Sequence, residues 1–147
     1  MMKHTTWGVV TFAAGMLVGG LVMKPEPAVS AQPQHSGRVF ELRTYTTPDA
    51  AKLDALKARF RDHTISLFDR HHMKSVGYWT PEDAPLKDNT LIYILEHPSR
   101  DEAKKNWDAF RADPDWVKAK AASEVNGSLT TKVESVFADA TDFSPIK

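Results

Sequence analysis

The chain has 147 residues, 19 basic and 19 acidic, and so no formal net charge. No block of like charge supplies the basic patch that phosphate neutralisation requires, which excludes nucleic-acid binding as a main function. There is no cysteine, so disulfides, thiolate metal sites and a cysteine nucleophile are all excluded.

Lys3 and His4 precede an uncharged apolar run, Trp7–Met23. This pattern predicts a secretory signal or an N-terminal membrane anchor over residues 1–31. Val29-Ser30-Ala31 offers the small residues a signal peptidase reads. The expected location is therefore the periplasm, or the inner membrane facing it, with membrane contact only through residues 7–23 if that segment stays attached. Residues 32–37 read as a flexible linker rich in Pro, Gln and Ser. About 110 residues remain, enough for one core of ordinary size.

The folded unit is expected over residues 38–137. Its first strand, Arg38–Tyr45, alternates Phe40 and Leu42 with Glu41, Arg43 and Tyr45. An alternating strand places its apolar side against a covering layer and its polar side away from it. The expectation is thus that helices cover Phe40 and Leu42. Glu41, Arg43 and Tyr45 then face water or an enclosure formed with a second copy.

Thr47-Pro48-Asp49 reads as a helix start with Thr47 as the cap. Leu53, Leu56, Phe60, Thr64, Leu67 and His71 recur at helical spacing, which predicts one helix to about His72. Strand two is expected over Lys74–Thr80, ended by Pro81, and the apolar strand three over Thr90–Glu96, central in the sheet. Ser99-Arg100-Asp101-Glu102 reads as a capping box that opens a second helix, with Ala103, Trp107 and Phe110 inward. Asp113-Pro114 restarts a further helical segment, which Asn126-Gly127 stops. Strand four is expected over Leu129–Phe137, followed by a loose polar tail, 138–147.

The order β-α-β-β-α-β predicts an α+β, ferredoxin-like fold. It has a four-stranded antiparallel sheet with helices on one face. Three runs are also distinctive as sequence. F-E-L-R-T-Y-T at 40–46, H-H-x-K-x-V-G-Y-W-T at 71–80 and S-R-D-E-A…W-x-A-F-x-A-D-P-D-W at 99–116 resemble the NIPSNAP family. The resemblance runs over about residues 38–137 and implies a dimeric α+β barrel, two units paired through their bare sheet faces. Animal members are mitochondrial and linked to vesicle transport and mitophagy signalling. Bacterial members mostly have no assigned activity, and the expected export signal makes this chain resemble a bacterial exported relative, so the animal partner roles are not carried over. The wider superfamily includes cofactor-independent monooxygenases and haem-degrading enzymes, whose pocket lies between sheet and helices. The asparagine that haem degraders carry on strand one is absent, since the strand here reads Glu41, Leu42, Arg43.

The candidate pocket-lining residues are Glu41, Arg43, Tyr45, His63, His71, Trp79, Tyr93 and His97. A histidine on the buried stripe is a base, a ligand or a core residue with one hydrogen bond. His63 and His71 stand two turns apart, which is the wrong spacing for a simple zinc site. Glu41, Arg43 and Tyr45 form either a polar pocket or a set of ion pairs. Trp79 is the most pocket-like tryptophan, whereas Trp107 has core spacing with Phe110. No catalytic residue, metal ligand or cofactor is assigned. The expected function is an exported, homodimeric small-molecule-binding or interaction module. The alternative is a cofactor-independent monooxygenase or isomerase, which needs a histidine in an enclosed apolar cavity.

Overall fold

The computed structural model describes residues 37–146. The expected signal or anchor (1–31) and nearly all of the expected linker lie outside that range. Four strands form one sheet: β1 (Val39–Thr46), β2 (Lys74–Trp79), β3 (Thr90–His97) and β4 (Lys132–Asp139). Their order is β2-β3-β1-β4. Every pair is antiparallel, with β1 matched to β3 from Val39↔His97 to Thr46↔Thr90 and to β4 from Val39↔Asp139 to Thr46↔Lys132. This is the ferredoxin-like α+β arrangement, with both strand–helix–strand halves meeting at the central pair β1 and β3.

Which side of the sheet the helices cover is the reverse of the expectation. Glu41 is buried, and the Trp107 indole from a covering helix donates to it. The Tyr45 ring meets Phe60 edge-on, and Tyr93, beside it on β3, packs against Phe60 and Phe68. The uncovered side carries Leu42, Ile94 and Val136, aligned across three strands. Leu42 is 39% and Val136 61% exposed. The reason is size and satisfaction. The side bearing Tyr45, Tyr93, Leu91 and Leu95 has more apolar bulk to bury, and its polar groups bond to one another.

Helix α1 (Ala50–Arg59) passes into a π-helical turn, Phe60–Thr64, and then into α2 (Ile65–Arg70). Asp49 caps α1, accepting from the Lys52 N–H. The expected cap, Thr47, is instead buried and donates its hydroxyl to the Asp49 and Asn89 carbonyls. In the π turn, the Thr64 hydroxyl donates to the Arg59 carbonyl, five residues back. The expected stripe is otherwise present, with Leu53, Leu56, Phe60, Thr64 and Leu67 all buried.

Helices α3 (Arg100–Ala112) and α4 (Pro114–Ser123) complete the covering layer. Ser99 caps α3 by accepting from the Glu102 N–H. The Glu102 carboxylate pairs with Lys105, so only half of the expected capping box is made. Asp113 caps α4 and also accepts from His71 and Arg70, tying the end of α2 to the α3–α4 junction. Strand β4 starts at Lys132 and reaches Asp139, later than expected at both ends. The segment after it forms turns and bends. Thr141, Ser144 and Ile146 border a groove on the uncovered sheet side, beside Phe40, Leu42, Val76 and Ile94.

Candidate functional site

Beneath α3 the sheet holds a buried ion-pair network centred on Glu41. One carboxylate oxygen accepts from the Trp107 Nε1 at 2.6 Å and meets the His97 Nε2 at 3.0 Å. The other accepts from the Arg43 Nη1 and the Ser135 hydroxyl, both at 2.6 Å. Burial pushes the Glu41 pKa up, but these bonds, led by that from His97, outweigh it and lower the value to about 2. An ionised carboxylate only accepts, so the His97 Nε2 carries the proton. The His97 Nδ1 is buried without a partner.

Arg43 extends this network toward an aromatic layer. Its guanidinium lies 4.3 Å from the Trp107 ring centroid, a cation–π contact. Its Nη2 donates to the Tyr45 hydroxyl at 3.3 Å, which also accepts from the Tyr93 hydroxyl at 3.0 Å. Burial raises the Tyr93 pKa well above the usual tyrosine value, so this phenol stays protonated.

A cleft of about 190 Å³ opens between β1 and the helices. Arg43 and Tyr45 form its polar end, while Phe60, Phe68, Trp107, Phe110 and Trp116 wall it. Arg111 and Lys120 also border it. Thr64 lines it from the π turn, a helix irregularity that recurs at functional sites. No carboxylate, imidazole or thiol lines this cleft. It is more enclosed than the grooves that hold His63 and Trp79.

The expected site residues therefore separate. Arg43 and Tyr45 line the cleft, whereas Glu41, Tyr93 and His97 lie behind it, fully buried. His63 is corrected to an exposed position in a groove between α2 and α4. His71 lies away from the cleft, its Nε2 2.7 Å from the Asp113 carboxylate. Trp79, 49% exposed, lies at the sheet edge and borders a different groove. Trp107, read first as core from its spacing with Phe110, joins both network and cleft. A buried indole N–H needs an acceptor, and that requirement was the available signal. Phe60, Phe68 and Ser135 carried no signal beyond core spacing or strand alternation. Among the described residues no cluster of His, Asp or Glu could hold a metal ion. Nor is any described helix long and apolar enough to cross a membrane.

The fold and cleft define a ferredoxin-like α+β module with an aromatic chamber between sheet and helices. The NIPSNAP family pattern matches residues 40–145, and the chain belongs to that family. No curated protein matches the sequence. Among solved structures, a NIPSNAP family protein of unknown function from Agrobacterium tumefaciens superposes with a TM-score of 0.66 at 25% identity. That match covers 77% of this chain and 96% of the other. An uncharacterised NIPSNAP domain protein from Burkholderia xenovorans gives a TM-score of 0.60 at 20% identity, covering 73% and 98%. A putative antibiotic biosynthesis monooxygenase from Caulobacter crescentus gives 0.50 at 13% identity, covering 73% and 92%, a likeness of fold alone.

Proposed function

We propose that this NIPSNAP domain is a homodimeric small-molecule-binding module, exported from the cytoplasm, with its ligand held between β1 and the helices. The observation that carries the reading is the half-open, aromatic-walled cleft of about 190 Å³. An apolar cavity of about 150 Å³ accepts a benzene ring, so the cleft has room for at least a single ring. The lining favours binding over catalysis. It offers no carboxylate or imidazole as a general base, and the histidines that the monooxygenase or isomerase alternative needs are elsewhere.

The dimer rests on the uncovered sheet side. Leu42, Ile94 and Val136 align there into one apolar patch, flanked by Lys132 and Glu134 on the edge strand. Such a patch on a sheet face marks an interaction surface, and a second copy of the same sheet is the occupant proposed. Export rests on Trp7–Met23 and the small residues before Gln32. Sedimentation tests the dimer, and a stable monomer at micromolar concentration removes it. N-terminal sequencing of secreted protein tests export, with a start at Gln32 as the expected product.

The ligand site is tested with fluorotryptophan-labelled protein and a panel of single-ring compounds. Binding in the cleft shifts the resonances of Trp107 and Trp116 saturably and leaves that of Trp79 in place. Movement of Trp79 alone would transfer the site to the sheet edge and refute the reading.

A further inference from the structure

The hydrogen-bond inventory at the polar end of the cleft specifies what its ligand must carry. Tyr93 is fully buried, and among the described residues Tyr45 is the one hydrogen-bond partner of its hydroxyl. The Tyr93 proton therefore goes to the Tyr45 oxygen, because the reverse direction would leave a buried hydroxyl proton without an acceptor. Arg43 can only donate, and it donates to the same oxygen. Both lone pairs of the Tyr45 oxygen are thus occupied. Its own proton has no acceptor among the described residues, and Tyr45 lines the cleft.

The charges around the cleft have the same sense. Its charged lining residues, Arg43, Arg111 and Lys120, are all cationic. Their partners Glu41, Asp108 and Glu124 stand outside the lining. The paired charges are therefore oriented with their positive ends toward the cleft, which rewards a negative group inside. The remaining wall is aromatic, suited to the face or edge of a ring.

Taking the cleft as the ligand site, we infer that its ligand is a single-ring aromatic carboxylate whose oxygen accepts the free Tyr45 hydroxyl proton. The ring fills the space among Phe60, Phe68, Trp107 and Trp116, and the carboxylate takes the Tyr45 end beside Arg43.

The probes are benzoate, toluene and benzylamine, which share a ring and differ in the group it carries. Each is titrated against full-length protein and followed by the Trp107 and Trp116 fluorine resonances. Benzoate is expected to bind at least about ten-fold more tightly than toluene, as a hydrogen bond to a charged group contributes. Benzylamine is expected to bind more weakly than toluene. Tyr45→Phe should bring the affinities for benzoate and toluene close together. Because this variant strands the Tyr93 hydroxyl, the double variant Tyr45→Phe, Tyr93→Phe is measured in parallel and should show the same convergence. Equal affinity for benzoate and toluene, or benzoate binding indifferent to Tyr45→Phe, overturns the ligand class and leaves the cleft as a binding site. Failure of all three probes to bind overturns both.

Discussion

Replacing Glu41 with glutamine tests whether the buried network holds the sheet to α3. Glu41 takes four donors, from β1, β3, β4 and α3, and its side chain is 2% exposed. Its pKa falls from 4.5 to about 2 on folding. At about 1.4 kcal/mol per unit, that shift corresponds to about 3 kcal/mol of stability at neutral pH. The sign follows from the order of the two values. Above pH 4.5 the carboxylate is ionised in both states and the full contribution is present. Between 4.5 and about 2 the unfolded chain takes up the proton first, and the contribution is lost at up to about 1.4 kcal/mol per pH unit.

Glu41→Gln removes this titration. It also leaves the Arg43 guanidinium, 15% exposed, without its counter-charge and sets an amide N–H₂ against at least one donor. Breaking a buried pair from one side costs about 3–5 kcal/mol, a large share of the roughly 5–15 kcal/mol that holds a domain together. The assay is urea unfolding of both proteins at several pH values from 7 to 2.5, followed by far-UV circular dichroism. Groups common to both proteins, Asp113 among them, contribute to both curves and largely cancel in the difference. That difference should be largest at neutral pH and shrink by about 3 kcal/mol on acidification. Two curves that run parallel across the whole range would refute the assignment of Glu41 as an ionised, donor-saturated anchor.

Other substitutions probe the remaining features. A Cβ at Gly77 would lie 2.7 Å from the Trp79 ring, so Gly77→Ala should swing that indole into solvent. The expected result is a red-shifted emission with a stability change within about 0.5 kcal/mol in urea unfolding, because the half-exposed indole can move aside. Ile94→Glu places a charge in the middle of the uncovered sheet side, and sedimentation should then show a monomer where the natural chain dimerises. Asp113→Ala removes the α4 cap and the acceptor for His71 and Arg70. Amide exchange of residues 115–117 should accelerate, and ligand affinity should fall because α4 carries Trp116 into the cleft wall.

The element order was legible because each element carries its own signal: alternation in β1, the 3.6-residue stripe from Leu53 to Leu67, the Asp113-Pro114 restart. The π turn was not legible, because Phe60, Thr64 and Leu67 fit the stripe of an ordinary helix equally well. The sidedness of β1 was misread for a definite reason. Polar residues mark the outer face of a strand only when water is their best partner. Glu41 has a better set: Arg43 two residues on, His97 on β3, Ser135 on β4 and the Trp107 indole. Three of those four are brought in by tertiary pairing, which strand alternation does not encode. Leu42 was read as core-facing because it is apolar, yet with Ile94 and Val136 it lies on the uncovered side, where the terminal segment borders the groove among the described residues.

That inversion separates the two proposed roles in space. The cleft is lined from β1, the π turn, α2, α3 and α4 of one chain, on the covered side of the sheet. The apolar patch is on the opposite side, so no residue that lines the cleft also belongs to the patch. A ligand chamber shared between copies would lose its walls on dissociation, whereas this one keeps them. The Ile94→Glu monomer should therefore bind a ring compound with the affinity of the natural protein. A ten-fold loss on monomerisation would mean that the second copy contributes to the chamber, and the cleft between β1 and the helices would no longer account for binding.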